Sequence, residues 1–386
     1  LDTVLDSSSS QRITVPVIAL TFYAIASGYL MSLVPLMLPH YQLDMGLASW
    51  IASAFYSGLL LGAMLIEPVV VRLGHRNSFI AFLLILLVSI VTLPLIPTSI
   101  IWIVARFVAG IAVAGIFVVV ESWLLHGTQS GRAKRLGVYM AALYGGSSLG
   151  QLGIGYLGTS GLLPFATISC LILAASLVLL FTKPYQPNIE QTSTLSLRQI
   201  SKLNHAALLG CMVSGLTLGA IYGLMPVELT QRGLNSSDIG SLLALIILGG
   251  MIVQPAIPWL SKFFGRTLLM ALFCLIGSVS VVLPILDATI NVLAISLFML
   301  GMATFAIYPI AINLGCDKLS ANYIVSATQV MLFSYSLGSV AGPVIADIFM
   351  QNSHGLLNYL LVIQLATCLY MLLVSVKTKR QLVAGE

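Results

Sequence analysis

The sequence predicts an all-α integral membrane protein of twelve transmembrane helices, arranged as two sets of six. Of its 386 residues, 59% are hydrophobic and only 8% charged, with a mean hydropathy of +1.04; about a quarter are charged in soluble domains. Twelve apolar runs alternate with short polar breaks, each near the roughly 20 residues that cross a bilayer as a helix. One sizeable polar stretch, residues 183–204, is rich in Pro, Ser, Thr and Gln and divides the runs six and six. It reads as a linker.

In chain order the first six runs are 15–38, 49–71, 78–96, 100–124, 136–157 and 162–182. The second six are 205–229, 239–260, 267–286, 291–315, 323–350 and 356–376. The predicted organisation is a tail 1–14, a six-helix bundle 15–182, the linker 183–204, a second bundle 205–376 and a tail 377–386. With a cytoplasmic N-terminus, inner loops and tails hold every one of the 17 Lys and Arg except Arg106, inside the fourth run, and Arg232, outside. That asymmetry satisfies the positive-inside rule with both termini cytoplasmic. It also accounts for the net charge of +5 without nucleic acid as a partner.

The first twelve residues are polar and acidic, and the run after them is too long for a signal h-region, so no cleavable leader is expected. The five cysteines, Cys170, Cys211, Cys274, Cys316 and Cys368, all fall within apolar runs and show no CxxC spacing. Core packing is their expected role, with no disulfide framework, metal or other cofactor.

The fourth run carries both Arg106 and Glu121. A charge near a helix centre costs about 2.5–3.5 kcal/mol on insertion scales, so such residues face a bundle interior or a watery cavity. At 100° per residue, the steps from Arg106 to Glu121 return to within ~60° of one face, while the rise separates them by about 22 Å. Direct pairing is ruled out. Arg106 is expected to balance an anion in the outer half, and Glu121, the carboxyl expected to be most buried, to titrate in the inner half.

An internal repeat is visible. A shift of 191 residues lays Pro35 on Pro226, Gly58 on Gly249, Gly74 on Gly265 and Gly110 on Gly301. A shift of 192 lays Gly146 on Gly338 and Gly150 on Gly342. A parallel duplication of six-helix halves with a midplane site is a transporter pattern.

These residues resemble the major facilitator superfamily over essentially the whole chain. Arg72-Leu73-Gly74-His75-Arg76 is similar to the end of its first signature, G-x-x-x-D-R-x-G-R-R, with Glu67 at the Gly position and Val71 at the Asp position. The repeat copy, residues 258–266, keeps Gly265 and Arg266 but has Lys262 at the Asp position. In the family that Asp steadies the cytoplasmic gate. Glu67, one turn before Val71, is the candidate substitute, and snorkelling at the inner boundary is the alternative. Arg106-Phe107-Val108-Ala109-Gly110 resembles the second signature, which implies a buried Arg tied to proton coupling; a fixed salt bridge is the structural alternative. Gly137, Gly146, Gly150 and Gly155 match a third signature, associated with exporters of the antiporter type. The Pro that normally follows is Gln151 here, whereas the helix 11 copy keeps it as Pro343 after Gly338 and Gly342. Residues 117–122 with Glu121, Tyr222 to Pro226 and Tyr308-Pro309 are similar to a YcaD-like bacterial branch.

The resemblance implies a major facilitator fold of two pseudo-symmetric bundles, with helices 1, 4, 7 and 10 lining the cavity. Helices 3, 6, 9 and 12, the most uniformly apolar, suit the lipid face. Candidate substrate contacts are Arg106 first, then Tyr29, Tyr144, Gln151, Tyr222, Gln254, Tyr308, Asn313 and Gln329. Any one of them alone is more often a hydrogen-bonded packing residue. Candidate coupling charges are Arg106, Glu121, Glu228 and Asp347. For the last two, near outer helix ends, gating and pairing with Arg106 are open, with contact to outside water the default. Candidate gating residues are Glu67, Arg72, Gly74, Arg76, Lys262, Gly265 and Arg266, with Gly146, Gly150, Gly338, Gly342 and Pro343 where helices 5 and 11 bend.

Two soluble-enzyme patterns are refused on context. Gly146-Ser147-Ser148-Leu149-Gly150 lies inside an apolar helix and not at a strand-to-helix turn, and Gly153 to Gly158 has no βαβ unit around it. No P-loop occurs, so ATP is not an expected energy source. The expected protein is not an enzyme. It is a monomeric secondary transporter of the bacterial inner membrane, moving a small polar or amphipathic solute, slightly favoured as anionic or zwitterionic, with protons. A multidrug-type exporter of lipophilic cations and a transporter-like receptor without flux are the alternatives.

Overall fold

The computed structural model describes residues 2–124, 135, 137–181, 204–317, 321–351 and 355–383, and their side chains apart from 2–13, 67, 124, 321–326 and 378–383. The predicted linker lies outside the described residues except for Asn204. So do Arg132, Lys134 and Lys318.

Among the described residues, eleven helices are long and apolar enough to cross a membrane. The first four are α1 (Asp2–Met37), α2 (Leu47–Leu65), α3 (Glu67–Leu95) and α4 (Ser99–Leu124). The fifth span is helical over 137–140, widens into a π-turn at Ala141–Gly145 and continues as α5 (Gly146–Leu157). Then follow α6 (Leu163–Phe181), α7 (His205–Gln231), α8 (Ser236–Val253), α9 (Arg266–Leu286), α10 (Ile290–Cys316), α11 (Ala321–Phe349) and α12 (Gly355–Val383). Twelve spans make the chain an all-helical membrane protein.

Three predicted helices are interrupted, each for a local reason. The second span was expected to run unbroken over 49–71, but it bends at Ile66 because Pro68, in the first turn of α3, has no N–H to continue the ladder. Gly74 (φ 76°, ψ 162°) then breaks α3 in a conformation that only glycine adopts at little cost. The fifth span widens ahead of Gly145-Gly146, where no side chain holds the tighter winding. The eighth ends at Val253, and Pro255 and Pro258 confine its expected continuation to a separate turn, Ala256–Leu260.

The chain divides into two compact units, one of Leu1–Glu190 with Gly233–Ala244 and one of Gln191–Arg232 with Leu245–Glu386. In the first, α4 packs on α2 and α3, and α1 on α5 and α6. In the second, α7 packs on α10, α11 and α12, and α9 on α10 and α12.

The sequence repeat is also a repeat of contacts. A Cβ on Gly58 would strike the Phe107 carbonyl oxygen, and one on Gly249 the Phe298 carbonyl oxygen. Gly110 and Gly301 meet the carbonyls of Phe55 and Ile246, and Gly150 and Gly342 those of Ile25 and Leu216. In each pair the partner is displaced by the same 191 residues. Such close approach of helix backbones leaves no room for any side chain.

Candidate functional site

Arg106 sits in the first unit, 4% exposed. It is held on the bundle-facing side of α4 while the same helix presents Val104 outward. Its Nη2 donates to the Met31 sulfur on α1 at 3.2 Å, and the guanidinium lies 4.4 Å from the Phe55 ring centroid on α2. Its Nη1 is buried without a hydrogen-bond partner, and neither ion pair among the described residues includes it. A thioether and an aromatic face tolerate a cation, but they do not neutralise it. The geometry therefore has capacity for an added acceptor such as a carboxylate.

Glu121 departs from expectation. It is exposed, not buried: Val119, Val120 and Trp123 take the packed side of α4 and leave Glu121 on the open side. Its Oε1 accepts from the Tyr139 hydroxyl at 3.0 Å. Tyr139 is 4% exposed, so a phenol fixed in the bundle holds the carboxylate from one side. Tyr23, fully buried on α1, stands edge-on to Phe117 of α4 with ring centroids 6.2 Å apart.

The other sequence candidates are spread over both units. Tyr29 spends its hydroxyl on the Gly158 carbonyl, 2.7 Å away at the end of α5. Tyr144 lies in the π-turn and is half-buried. Gln151 is buried with its Oε1 unpartnered. In the second unit Tyr222 meets Phe305 edge-on at 6.4 Å, and Tyr308 meets Tyr335 at 4.9 Å. Gln254 donates to the carbonyls of Gly250 and Phe305, while Asn313, exposed, donates to Pro309. Gln329 is exposed and Asp347 half-buried, both on α11.

Glu228 requires a correction. It is 3% exposed, so contact with outside water is not its role. Its Oε1 accepts from Arg232 Nε and Nη2, each at 3.0 Å, and its Oε2 accepts the Leu356 N–H at 3.2 Å. The pair ties α7 to the start of α12.

The sequence profile of the Major Facilitator Superfamily matches residues 17–343. The chain is 34% identical to an uncharacterized MFS-type transporter, YcaD, of Escherichia fergusonii, over 86% of its own length and 87% of the relative. The chain belongs to the major facilitator superfamily. Its fold is similar to that of a mutant of the nucleoside transporter NupG, with a TM-score of 0.81 at 12% identity, covering 94% of this chain and 98% of that one. It is also similar to the human organic anion transporter MFSD10, with a TM-score of 0.65 at 15% identity, covering 94% and 99%.

As a major facilitator protein the chain carries its signature loops in modified form. Arg76 donates from Nε and Nη2 to the carbonyls of Leu179 and Leu180 at 2.7 and 2.6 Å, which closes the open end of α6. Arg266 pairs with Asp317 and donates to the Asn313 carbonyl at 2.8 Å. Each unit thus has a guanidinium on a helix C-terminus at its signature loop. Arg72 and Lys262 are exposed, and Gly265 opens α9 with ordinary φ of −59°. The side chain of Glu67 lies outside the described residues.

Sequence reasoning missed Tyr139, Phe55, Met31 and the Arg232 partner of Glu228. Only the last had a plain signal, opposite charges four residues apart on a helix. Tyr139 carries no such signal, and the π-turn that follows it at Ala141–Gly145 is not written in the apolar pattern.

Proposed function

We propose that this chain is a secondary active transporter that moves a small polar or amphipathic organic solute with an anionic or zwitterionic group. It works as a monomer in the bacterial inner membrane, with both termini cytoplasmic and halves 15–182 and 205–376 alternating access. Transport is coupled to protons and does not use ATP. The observation that carries the reading is the buried, unneutralised guanidinium of Arg106. An uncompensated cation in low dielectric is costly, and a solute carboxylate or phosphate that lowers that cost gains affinity there. Glu121, within reach of one phenol and otherwise open, supplies the titrating carboxyl.

One observation favours a second reading. Glu121 is exposed and belongs to neither ion pair among the described residues, which suits the export of lipophilic cations. Thermal unfolding of purified wild type and Arg106→Ala with organic acids, zwitterions and lipophilic cations separates the two. A ligand at 100 times its Kd adds about 2.7 kcal/mol. Acids are expected to stabilise wild type and not Arg106→Ala. Equal stabilisation of both by cations refutes the anion reading and moves the site to Glu121. Counterflow in vesicles of the ligand so found tests flux, and its absence leaves a receptor.

A further inference from the structure

The turn that joins α8 to α9 has two unlike sides. On one, Val253 and Ile257 belong to the buried core of the second unit, and Leu260 packs against it. On the other, Trp259 is 59% exposed and Phe263 66%, with their rings edge to face and centroids 5.1 Å apart. Phe264 follows, also exposed.

The winding sets this division. The N–H groups of Ser261, Lys262 and Phe263 donate to the carbonyls of Ile257, Trp259 and Leu260, which carries a helical turn on past the end of Ala256–Leu260. Residues three and four apart then share a face, so Lys262 stands with Trp259 and Phe263 and away from the core. Lys262 is exposed and belongs to neither ion pair among the described residues. Arg266, the next cation, is engaged by Asp317 and by the Asn313 carbonyl.

Helices α8 and α9 are both long and apolar enough to cross a membrane. The 18 residues of α8 rise about 27 Å, close to the roughly 30 Å of a hydrocarbon core, so the turn after them lies where acyl chains meet headgroups. Aromatic rings and lysine suit this layer, since the rings enter the acyl boundary while the ammonium reaches out to phosphate. The fold itself does not require them. Under the 191-residue shift Trp259, Lys262, Phe263 and Phe264 land on Pro68, Val71, Arg72 and Leu73, so the first unit has no aromatic ring at the corresponding positions.

We propose that Trp259, Lys262 and Phe263 form a docking surface for an anionic phospholipid such as phosphatidylglycerol. Its phosphodiester pairs with the Lys262 ammonium, for which no Asp or Glu within residues 254–265 competes. The two rings lie along the glycerol and the upper acyl chain, contacts that any phospholipid offers. Selection therefore rests on charge: a zwitterionic headgroup carries its own cation, which offsets the phosphate that Lys262 would meet.

Full-length wild type and Trp259→Phe are reconstituted in phosphatidylcholine nanodiscs holding an equal minor share of either brominated phosphatidylglycerol or brominated phosphatidylcholine. The fluorescence lost in Trp259→Phe isolates this indole, which bromine quenches at close range. Quenching is expected to report an affinity about fivefold higher for phosphatidylglycerol, the size that one lysine gives at an anionic surface. Lys262→Gln, compared with its own Trp259→Phe form, is expected to abolish the preference, Lys262→Arg to keep it, and added salt to lower it. An indole quenched by neither lipid, equal quenching by both in wild type, or a preference that survives Lys262→Gln would overturn the proposal. Displacement of phosphatidylglycerol by inorganic phosphate, beyond what chloride achieves at equal ionic strength, would also overturn it, because the surface would then be a site for free phosphate.

Discussion

Replacing Arg232 by Ala strands the Glu228 carboxylate at 3% exposure with only the Leu356 N–H as a partner. Breaking a buried ion pair from one side costs about 3–5 kcal/mol. The Arg232 side chain is 16% exposed, so solvent screens the pair and the lower limit, about 3 kcal/mol, is expected. Glu228→Ala leaves a cation at a helix end that can turn to water. Its cost is the two charge-assisted bonds and the α12 contact, about 2 kcal/mol net. The double variant leaves no stranded charge, and its cost is expected to stay near that of Glu228→Ala alone. The cycle then gives a coupling of about 3 kcal/mol. Equilibrium unfolding of the four purified proteins in mixed micelles of rising SDS content measures it. Additivity within about 0.5 kcal/mol would refute the pairing, and near-zero effects throughout would return Glu228 to contact with outside water.

Gly74 and Gly265 are equivalent in the sequence repeat but differ in backbone, φ 76° against −59°. Gly74→Ala is therefore expected to lower stability by about 1–3 kcal/mol, and Gly265→Ala, with nothing near its Cβ, to leave it within about 0.5 kcal/mol. Thermal unfolding of both checks this; equal effects would mean that the two loops share one conformation. Arg76→Ala uncovers the Leu179 and Leu180 carbonyls. Faster amide hydrogen exchange confined to the last turn of α6 is expected, with a cost of about 1 kcal/mol, and unchanged exchange there would show that water caps this end equally well.

Much of the fold was legible because a membrane leaves few options. The twelve runs and the repeat follow from hydrophobic length and glycine spacing. The glycines recur because backbone contact requires them, as at Gly58 against Phe107 and Gly249 against Phe298. The interruptions at Ile66 and Val253 were legible in principle, since each precedes a proline by two residues. The π-turn at Ala141–Gly145 was not, because it keeps an apolar composition and changes only the winding. Burial of Arg106 could be read from its helix. The exposure of Glu121 could not, since it depends on which side of α4 Val119, Val120 and Trp123 pack against their neighbours. Helix 12 read as lipid-facing because Leu365, Leu369 and Leu373 dominate its pattern and are exposed. A single Gln364 among them turns out to be on the buried face.

The duplication separates what the scaffold needs from what one half alone uses. Under the 191-residue shift Gly110 lands on Gly301, yet Arg106 lands on Leu297 and Glu121 on Ile312. The sulfur-bearing Cys274 and Cys211 land on Leu83 and Leu20, both fully buried. A leucine fills these positions in the other half without difficulty, so packing does not demand a charge or a thiol there. Groups that packing does not require, and that cost free energy to bury, are kept in proteins by interactions outside the bare fold. The same reasoning separates Glu228, whose cost is met within the fold by Arg232 and Leu356, from Arg106 and Gln364, whose costs are not. Arg106 lies in the first unit, with Gln151 as a further buried group whose oxygen is unpartnered, and Gln364 lies in the second. Under the function proposed above, an anionic solute offsets the cost at Arg106, and Arg106→Ala removes that cost without touching the Glu228–Arg232 pair of the other unit.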